Sequence, residues 1–189
     1  MKALAGISSA LLAVSTGRVA LIGVVIFLAF GALVLPGQSA AAERASGGAG
    51  SPDTSFFYSP ADLLQQAGAY GEAGRAAYVR ARWTFDLAFP LVYGFFLVTS
   101  IGWAVRKSAP AGSPWHRLNL LPVAGVLFDY LENTATSLVM ARFPVAPPLA
   151  AALAPWMTLL KWLFVYGSFG VLAVVLVTAW VKGLRRRPA

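Results

Sequence analysis

The sequence contains no cysteine and only one histidine, His116. Without cysteine the chain can form no disulfide, no thiolate nucleophile and no cysteine-held zinc or iron–sulfur centre. A single histidine also excludes multi-histidine metal sites and a haem held by two histidines. We therefore expect no bound cofactor.

Charged residues are scarce as well, at 12% of the 189 residues, whereas a soluble domain has roughly 25%. Hydrophobic residues make up 58% of the chain, and the mean hydropathy is +0.69. Together with several long apolar runs, these values indicate an integral membrane protein.

The net charge of +8 invites comparison with nucleic-acid-binding proteins, because basic patches bind phosphate. However, Lys182 and the arginines at 185–187 directly follow an apolar run. This is the pattern of basic residues that anchor a membrane helix on its cytoplasmic side. We therefore expect no nucleic-acid partner.

Four apolar segments are present. The first, 19–35, has about the length that a bilayer requires at a rise of 1.5 Å per residue. The others lie at 83–105, at 118–141 and within 149–181. They predict an all-α integral membrane protein with four transmembrane helices. With the N-terminus inside, nine Lys and Arg residues lie on the cytoplasmic side and five on the other, which favours an N-in/C-in orientation.

The segments divide the chain into four regions. We interpret 1–36 as an uncleaved signal-anchor transmembrane helix; the alternative is a cleaved signal peptide, because small residues follow the apolar run. The small and polar tract at 37–57 predicts a flexible extracytoplasmic linker. Residues 58–182 would form an interfacial helix and a three-helix membrane core, and 183–189 a basic cytoplasmic tail.

The interfacial helix is predicted from its first turn. Ser59 and Asp62 have the spacing of a capping box, with a proline between them. A short apolar stripe over 63–67 predicts an amphipathic helix at the outer interface. Glycines between 68 and 74 predict a break. We expect a new helix to begin near Glu72 and to continue without interruption into the second transmembrane helix.

Polar side chains interrupt the apolar segments. A charge at the bilayer centre costs about 2.5–3.5 kcal/mol on insertion scales, so these side chains must face one another or a watery cavity. They form the candidate functional cluster, which consists of Asp86, Asp129, Glu132, Asn133 and Lys161.

The spacing of these residues predicts how they pair. Asp129, Glu132 and Asn133 lie at i, i+3 and i+4 and therefore share one helix face. We expect Lys161 to pair with Glu132 or Asp129, in the outer half of the bilayer. We also expect Arg82 to pair with Asp86, four residues away. Polar residues on or near the second helix would support the cluster, namely Arg75, Tyr78, Arg82 and Tyr93.

Several roles for the cluster stay open. It could simply fix which helices pack together. Two acids on one face against one lysine leave a carboxylate that is either protonated or paired with a buried arginine or cation. Asp129 and Glu132, with Asp86, could instead hold a divalent cation that binds a lipid phosphate. A carboxylate–lysine set could also move protons. No catalytic residue can be assigned.

Three motifs give the chain a resemblance to a known pattern. They are G-x-x-G-R-x-x-Y from Gly71 to Tyr78, D-x-x-x-P-x-x-Y from Asp86 to Tyr93, and D-x-x-E-N from Asp129, followed by Lys161. This combination resembles an uncharacterised family of small bacterial four-helix integral membrane proteins. The resemblance implies a location in the bacterial cytoplasmic membrane and a single set of polar positions. It implies no activity.

The leading functional hypothesis is a non-enzymatic membrane component that binds membrane lipids or a protein partner in the membrane. One alternative is a lipid-active membrane enzyme that uses the intramembrane carboxylates. The other is a small proton-coupled transporter.

Overall fold

The computed structural model describes residues 2–185, and this part of the chain folds into α-helices with no β-strand. The expected all-α class is therefore confirmed. Arg186 and the remainder of the expected basic tail lie outside the described residues. The helices are α1 (Lys2–Val14), α2 (Gly17–Leu33), α3 (Leu35–Ser46), α4 (Pro60–Ala69), α5 (Gly71–Arg82), α6 (Phe85–Ser108), α7 (Leu121–Arg142) and α8 (Pro148–Arg185), with short 3-10 helices at Pro52–Thr54 and Pro114–Leu120.

Two stretches are long and apolar enough to cross a membrane, Gly71–Ser108 and Pro148–Val181. A third is present if Ala3–Val14 and Gly17–Leu33, which are bent by 88°, are taken as one span. Helix α7 has 22 residues but is not among these spans, because its central carboxyl and amide side chains lower its hydropathy. Two or three helices can therefore cross a membrane on length and composition.

The described residues fall into two compact units. Unit 1 takes its residues from Met1–Leu28, Val92–Gly125 and Leu163–Ala189, and unit 2 consists of Ala29–Leu91 and Val126–Trp162. Helices α6, α7 and α8 each contribute one part to each unit.

Unit 1 contains a helix that the sequence did not predict, α1. Ser8 Oγ donates to Asn119 Oδ1 at 2.8 Å, and Asn119 Nδ2 donates to the Ser8 carbonyl at 3.0 Å. A Cβ on Gly102 would lie 2.5 Å from Ser15 Oγ, so glycine permits this close approach of the backbone. The single helix expected within 1–36 is therefore interrupted after Val14. Thr16 begins the next helix by accepting a hydrogen bond from the Val19 N–H at 3.3 Å.

Unit 2 contains the predicted α4. The capping box is confirmed: Ser59 Oγ accepts from the Asp62 N–H at 3.1 Å, and Asp62 Oδ2 accepts from the Ser59 N–H at 2.8 Å. The glycine break is also confirmed at Gly71, which has a φ of 62°. However, Leu63 and Ala67 are wholly buried in a core with residues of α7 and α8. The apolar stripe therefore packs mainly against protein, with Leu64 only partly buried.

Two other expectations for unit 2 are corrected. Residues 37–57, expected as a flexible linker, include the end of α3 and the 3-10 helix Pro52–Thr54. Alanine has the highest helix propensity, and the alanine-rich segment extends α3 to Ser46. The expected uninterrupted helix from Glu72 is present as one apolar stretch, Gly71–Ser108, but a two-residue turn at 83–84 divides it into α5 and α6. Thr84 Oγ1 there donates to the Arg80 carbonyl at 2.7 Å, a side-chain bond that often bends helices.

Candidate functional site: a buried ionic cluster

Unit 2 brings four carboxyl groups and two cationic side chains together. Helices α5 to α8 contribute all but one of them, and the remaining one comes from the 3-10 helix that precedes α4. We call this set the ionic cluster; it consists of Asp53, Arg82, Asp86, Asp129, Glu132 and Lys161.

Lys161 lies at the centre of the ionic cluster. Its Nζ is 2.5 Å from Glu132 Oε2, and the two side chains are only 3% and 1% exposed. The predicted pairing with Glu132 is therefore confirmed. Lys161 also forms an ion pair with Asp53 Oδ1, which no pattern in the sequence indicated. A buried lysine is thus compensated by two carboxylates, as the cost of desolvating a charge requires.

Arg82 forms the second centre. Its Nη1 is 2.8 Å from Asp86 Oδ2 and 3.0 Å from Asp53 Oδ2. The predicted i, i+4 pair with Asp86 is present, but it is buried: the two side chains are 8% and 10% exposed. The guanidinium also lies over the ring of Tyr78, 4.5 Å from its centroid, and an aromatic face attracts a cation at this distance.

Asp53 connects Arg82 and Lys161, although no pattern in the sequence predicts that it belongs to the site. It lies in a short connection without helical periodicity, so no spacing rule relates it to the helices. Burial raises the pKa of its carboxyl, but Arg82 and Lys161 outweigh this effect and hold the pKa below its usual value. Asp53 is therefore an anion at neutral pH. The indole N–H of Trp162 donates to its backbone carbonyl at 3.2 Å and fixes its position.

A chain of hydroxyl groups extends from Glu132 to the edge of α4. Thr158 Oγ1 donates to Glu132 Oε1 at 2.7 Å and lies 3.0 Å from the hydroxyl of Tyr58. Because the Thr158 proton points to Glu132, Tyr58 is the donor in the second bond. Burial raises the pKa of Tyr58 above its usual value, which keeps this hydroxyl protonated. Both oxygens of Glu132 therefore have partners.

Asn133 connects Asp129 to the rest of the site. Its Nδ2 donates to Asp129 Oδ1 at 3.2 Å, and its Oδ1 lies 3.5 Å from Arg82 Nη1. The shared helix face predicted for the α7 residues thus points into the ionic cluster. The sequence predicts one acid in excess, but the ionic cluster has two, because four carboxyl groups face two cations.

The structure places the predicted supporting residues in different environments. Tyr78 is buried beneath Arg82 and contacts the ring of Tyr70 edge to face, at 5.7 Å between centroids. Arg75 donates to the Ala67 carbonyl at 3.0 Å and lies outside the ionic cluster. Tyr93 is buried and belongs to unit 1.

The geometry of these acids favours ion pairs and hydrogen bonds within the protein over a metal site. Within residues 2–185, no three histidine, cysteine or carboxylate side chains are grouped so that they could hold a metal ion. Asp129 and Glu132, the metal candidates from the sequence, instead contact Asn133, Thr158 and Lys161. Their oxygens are thus directed at protein donors.

A cleft of about 560 Å³ lies beside the ionic cluster in unit 2. Its polar side includes Asp53, Arg82 and Asp86, so the cluster forms part of the cleft floor. Its apolar side includes Leu35 and Phe89, together with small residues of α3 and α5. A further cavity of about 570 Å³ lies in unit 1. The residues that line it carry no charge, and they include Val105, Trp115, Leu118 and Val171.

No protein-family model matches this chain, and neither does any curated protein or solved structure. The chemistry of the site is therefore interpreted from its own geometry. That geometry is a pair of buried cations held by carboxylates, with one edge open to an amphipathic cleft.

Proposed function

We propose that this chain is a multi-pass protein of the bacterial cytoplasmic membrane that binds a membrane lipid in the unit 2 cleft. It acts as a non-enzymatic component of that membrane. The observation that carries the proposal is the cleft itself, which combines an apolar wall with an ionic floor. Its volume of about 560 Å³ lies within the roughly 300–1,000 Å³ of typical ligand pockets.

Accessibility separates this proposal from a lipid-active enzyme. A catalytic acid or base must come within hydrogen-bond distance of the substrate. Glu132 and Lys161 are 1% and 3% exposed, and each is already bonded to protein partners. A role in holding α7 against α8 explains this geometry more directly. Among the floor residues Asp53 is the most accessible, with a side chain that is 28% exposed, and Arg82 and Asp86 also line the cleft.

The membrane arrangement is part of the proposal. We propose four membrane-spanning segments with an N-in/C-in orientation, as the distribution of Lys and Arg favours. In this arrangement α7 crosses the bilayer although it is too polar to do so alone, because Glu132 pairs with Lys161 and Asn133 contacts Arg82. The resemblance to small bacterial four-helix membrane proteins supports the same arrangement.

A bulky substitution in the cleft tests lipid binding. Ala77 lines the cleft, so Ala77→Trp should fill it and reduce the lipid retained by the purified protein at least several-fold. Ala76→Trp is the matched control, since Ala76 is exposed on the same helix and does not line the cleft. Native mass spectrometry from mild detergent measures the bound lipid. Equal retention by both variants, or none by the unaltered protein, contradicts the proposal.

A further inference from the structure

Unit 1 contains many cations and no acidic residue. None of the seven Asp and Glu residues of the chain falls in its ranges, whereas nine of the 15 Lys and Arg residues do. Four of these cations are exposed in the structure, and within residues 2–185 no salt bridge joins any of them to a carboxylate; they are Arg18, Arg106, Lys107 and Arg117. Their charge is therefore not neutralised by protein, and unit 1 offers an anion no acidic side chain that would repel it.

The cavity of unit 1 accepts an apolar ligand. It has a volume of about 570 Å³ and lies between the end of α6, the 3-10 helix Pro114–Leu120 and α8. These three elements contribute, for example, Val105, Leu118 and Val171 to its lining. The volume lies within the roughly 300–1,000 Å³ of ligand pockets, which are predominantly apolar. The part of a ligand that fills this cavity must therefore be apolar.

The cavity is open towards the surface of α8. A Cβ on Gly167 or Gly170, which both line it, would meet no atom within 4 Å. Val174 and Trp115 line it as well and are 66% and 64% exposed. The lining residues of α8 belong to Pro148–Val181, a stretch that can cross a membrane. An acyl chain can therefore enter the cavity directly from the bilayer.

Cations adjoin this cavity along the chain. Arg117 is exposed and directly precedes the lining residue Leu118. On α8, Thr178 lines the cavity, and the sequence continues with Lys182 and Arg185 four and seven residues later, a spacing that follows one helix face. In the proposed N-in/C-in orientation these cations lie on the cytoplasmic side. Basic pockets between membrane helices on that side bind anionic lipid headgroups.

We propose that the unit 1 cavity binds an acyl chain of an anionic phospholipid, whose headgroup lies among the cations at Arg117 and the end of α8. This site is separate from the unit 2 cleft, so the inference goes beyond the proposed function. The charge of unit 1 favours an anionic headgroup, and the uncharged lining of the cavity favours the apolar part of the same molecule.

A variant that fills the cavity tests its occupancy. Because the cavity is open to the bilayer, its lipid should exchange during purification, so added lipid is titrated. The full-length Ala77→Trp protein in detergent is used, since its unit 2 cleft is filled, and it should bind short-chain phosphatidylglycerol. Adding Gly170→Phe should weaken this binding at least several-fold. Gly6→Phe is the matched control: a Cβ there also meets no atom within 4 Å, and Gly6 is exposed on α1 and does not line the cavity.

A charge variant tests the headgroup in the same Ala77→Trp protein. Arg117→Gln should weaken the binding of phosphatidylglycerol about fivefold, the contribution of one basic residue near an anionic lipid surface. It should leave the weaker binding of diacylglycerol of the same chain length unchanged. Arg18→Gln is the control, since Arg18 is exposed in unit 1 but lies on α2, which does not line the cavity. Thermal unfolding shows that each variant is folded.

The outcomes separate the possible failures. If the Ala77→Trp protein binds no phosphatidylglycerol, or if Gly170→Phe and Gly6→Phe bind it equally, the unit 1 site is wrong. Equal affinity for diacylglycerol, or equal weakening by Arg117→Gln and Arg18→Gln, overturns the anionic headgroup. Inorganic phosphate that displaces the lipid at equal concentration would identify a soluble anion as the ligand and overturn the lipid assignment. The proposed function fails separately, through equal retention of purified lipid by Ala77→Trp and Ala76→Trp.

Discussion

Lys161 has two carboxylate partners from distant parts of the chain, Glu132 on α7 and Asp53 before α4. Such a residue contributes little net stability while it is paired, because desolvation offsets much of the Coulomb attraction. Loss of Lys161 would be costly, because Glu132 would then lie buried without a counter-charge and Asp53 would keep only Arg82. The arrangement therefore makes correct packing of three chain segments depend on one side chain.

A charge reversal tests this arrangement. Glu132→Lys and Lys161→Glu should each lower the free energy of unfolding by about 3–5 kcal/mol, as removal of a buried partner does. The double swap should recover only part of the loss, because Asp53 then faces a glutamate at position 161. Adding Asp53→Asn to the swap should recover more. Thermal unfolding in detergent measures these differences, and full recovery by the double swap would show that Asp53 does not contact Lys161.

At the scale of elements, α3 and α5 approach closely and form one side of the cleft. Gly74 on α5 makes this approach possible, because a Cβ there would lie 2.4 Å from the Ala45 carbonyl oxygen on α3. The contact involves backbone, which cannot move aside as the end of a flexible side chain can. The sequence marks Gly74 only as a possible helix breaker, yet it lies within α5 and serves packing.

Two glycine substitutions distinguish the effect of packing on stability from the effect of helix propensity. Gly74→Ala should destabilise unit 2 by about 1–3 kcal/mol, the usual cost of overpacking, and should reduce lipid retention by displacing α3. Gly68→Ala is the control: its Cβ would meet only Phe143 at 3.4 Å, and alanine favours a helix by roughly 1 kcal/mol over glycine. Thermal unfolding should therefore show opposite shifts. Equal shifts for both variants would contradict the close α3–α5 contact.

At the scale of the whole molecule, the membrane arrangement depends on charge as much as on apolar length. Within residues 2–185, only two or three stretches qualify as spans by hydropathy, and α7 would need its ionic partners in order to join them. The cost of placing its carboxyl groups in a bilayer is reduced only after α5 and α8 have supplied the cations Arg82 and Lys161. We therefore expect α7 to insert together with its neighbours.

The absence of cysteine makes the proposed orientation directly testable. Single cysteines at Val145, between α7 and α8, and at Ala111, between α6 and α7, would occupy exposed positions. With both termini inside, a membrane-impermeant maleimide should label Val145→Cys in intact bacterial cells and Ala111→Cys only after the membrane is permeabilised. The reverse pattern, or the same labelling of both positions, would contradict the N-in/C-in arrangement.

Local patterns in the sequence predicted much of this protein. The capping box at Ser59 and the pair Arg82–Asp86 followed from i, i+3 or i+4 spacing, and the pair Lys161–Glu132 followed from the cost of burying a charge. The break at Gly71 followed from the low helix propensity of glycine. These features involve neighbouring residues or charges that have few possible partners. The all-α class followed in the same way from long apolar runs and scarce charge.

The role of Asp53, the packing of α1 and the shape of the cleft were decided by tertiary structure. Asp53 is more than 100 residues from Lys161 in the chain, and Ser8 is similarly far from Asn119. No helical period connects such pairs, because each depends on how a connecting segment folds back onto helices that are already packed. The spacing of Asp129 and Glu132 indicated that a carboxyl group would be in surplus, but only the folded chain shows that Asp53 lies between two cations at the floor of a cleft.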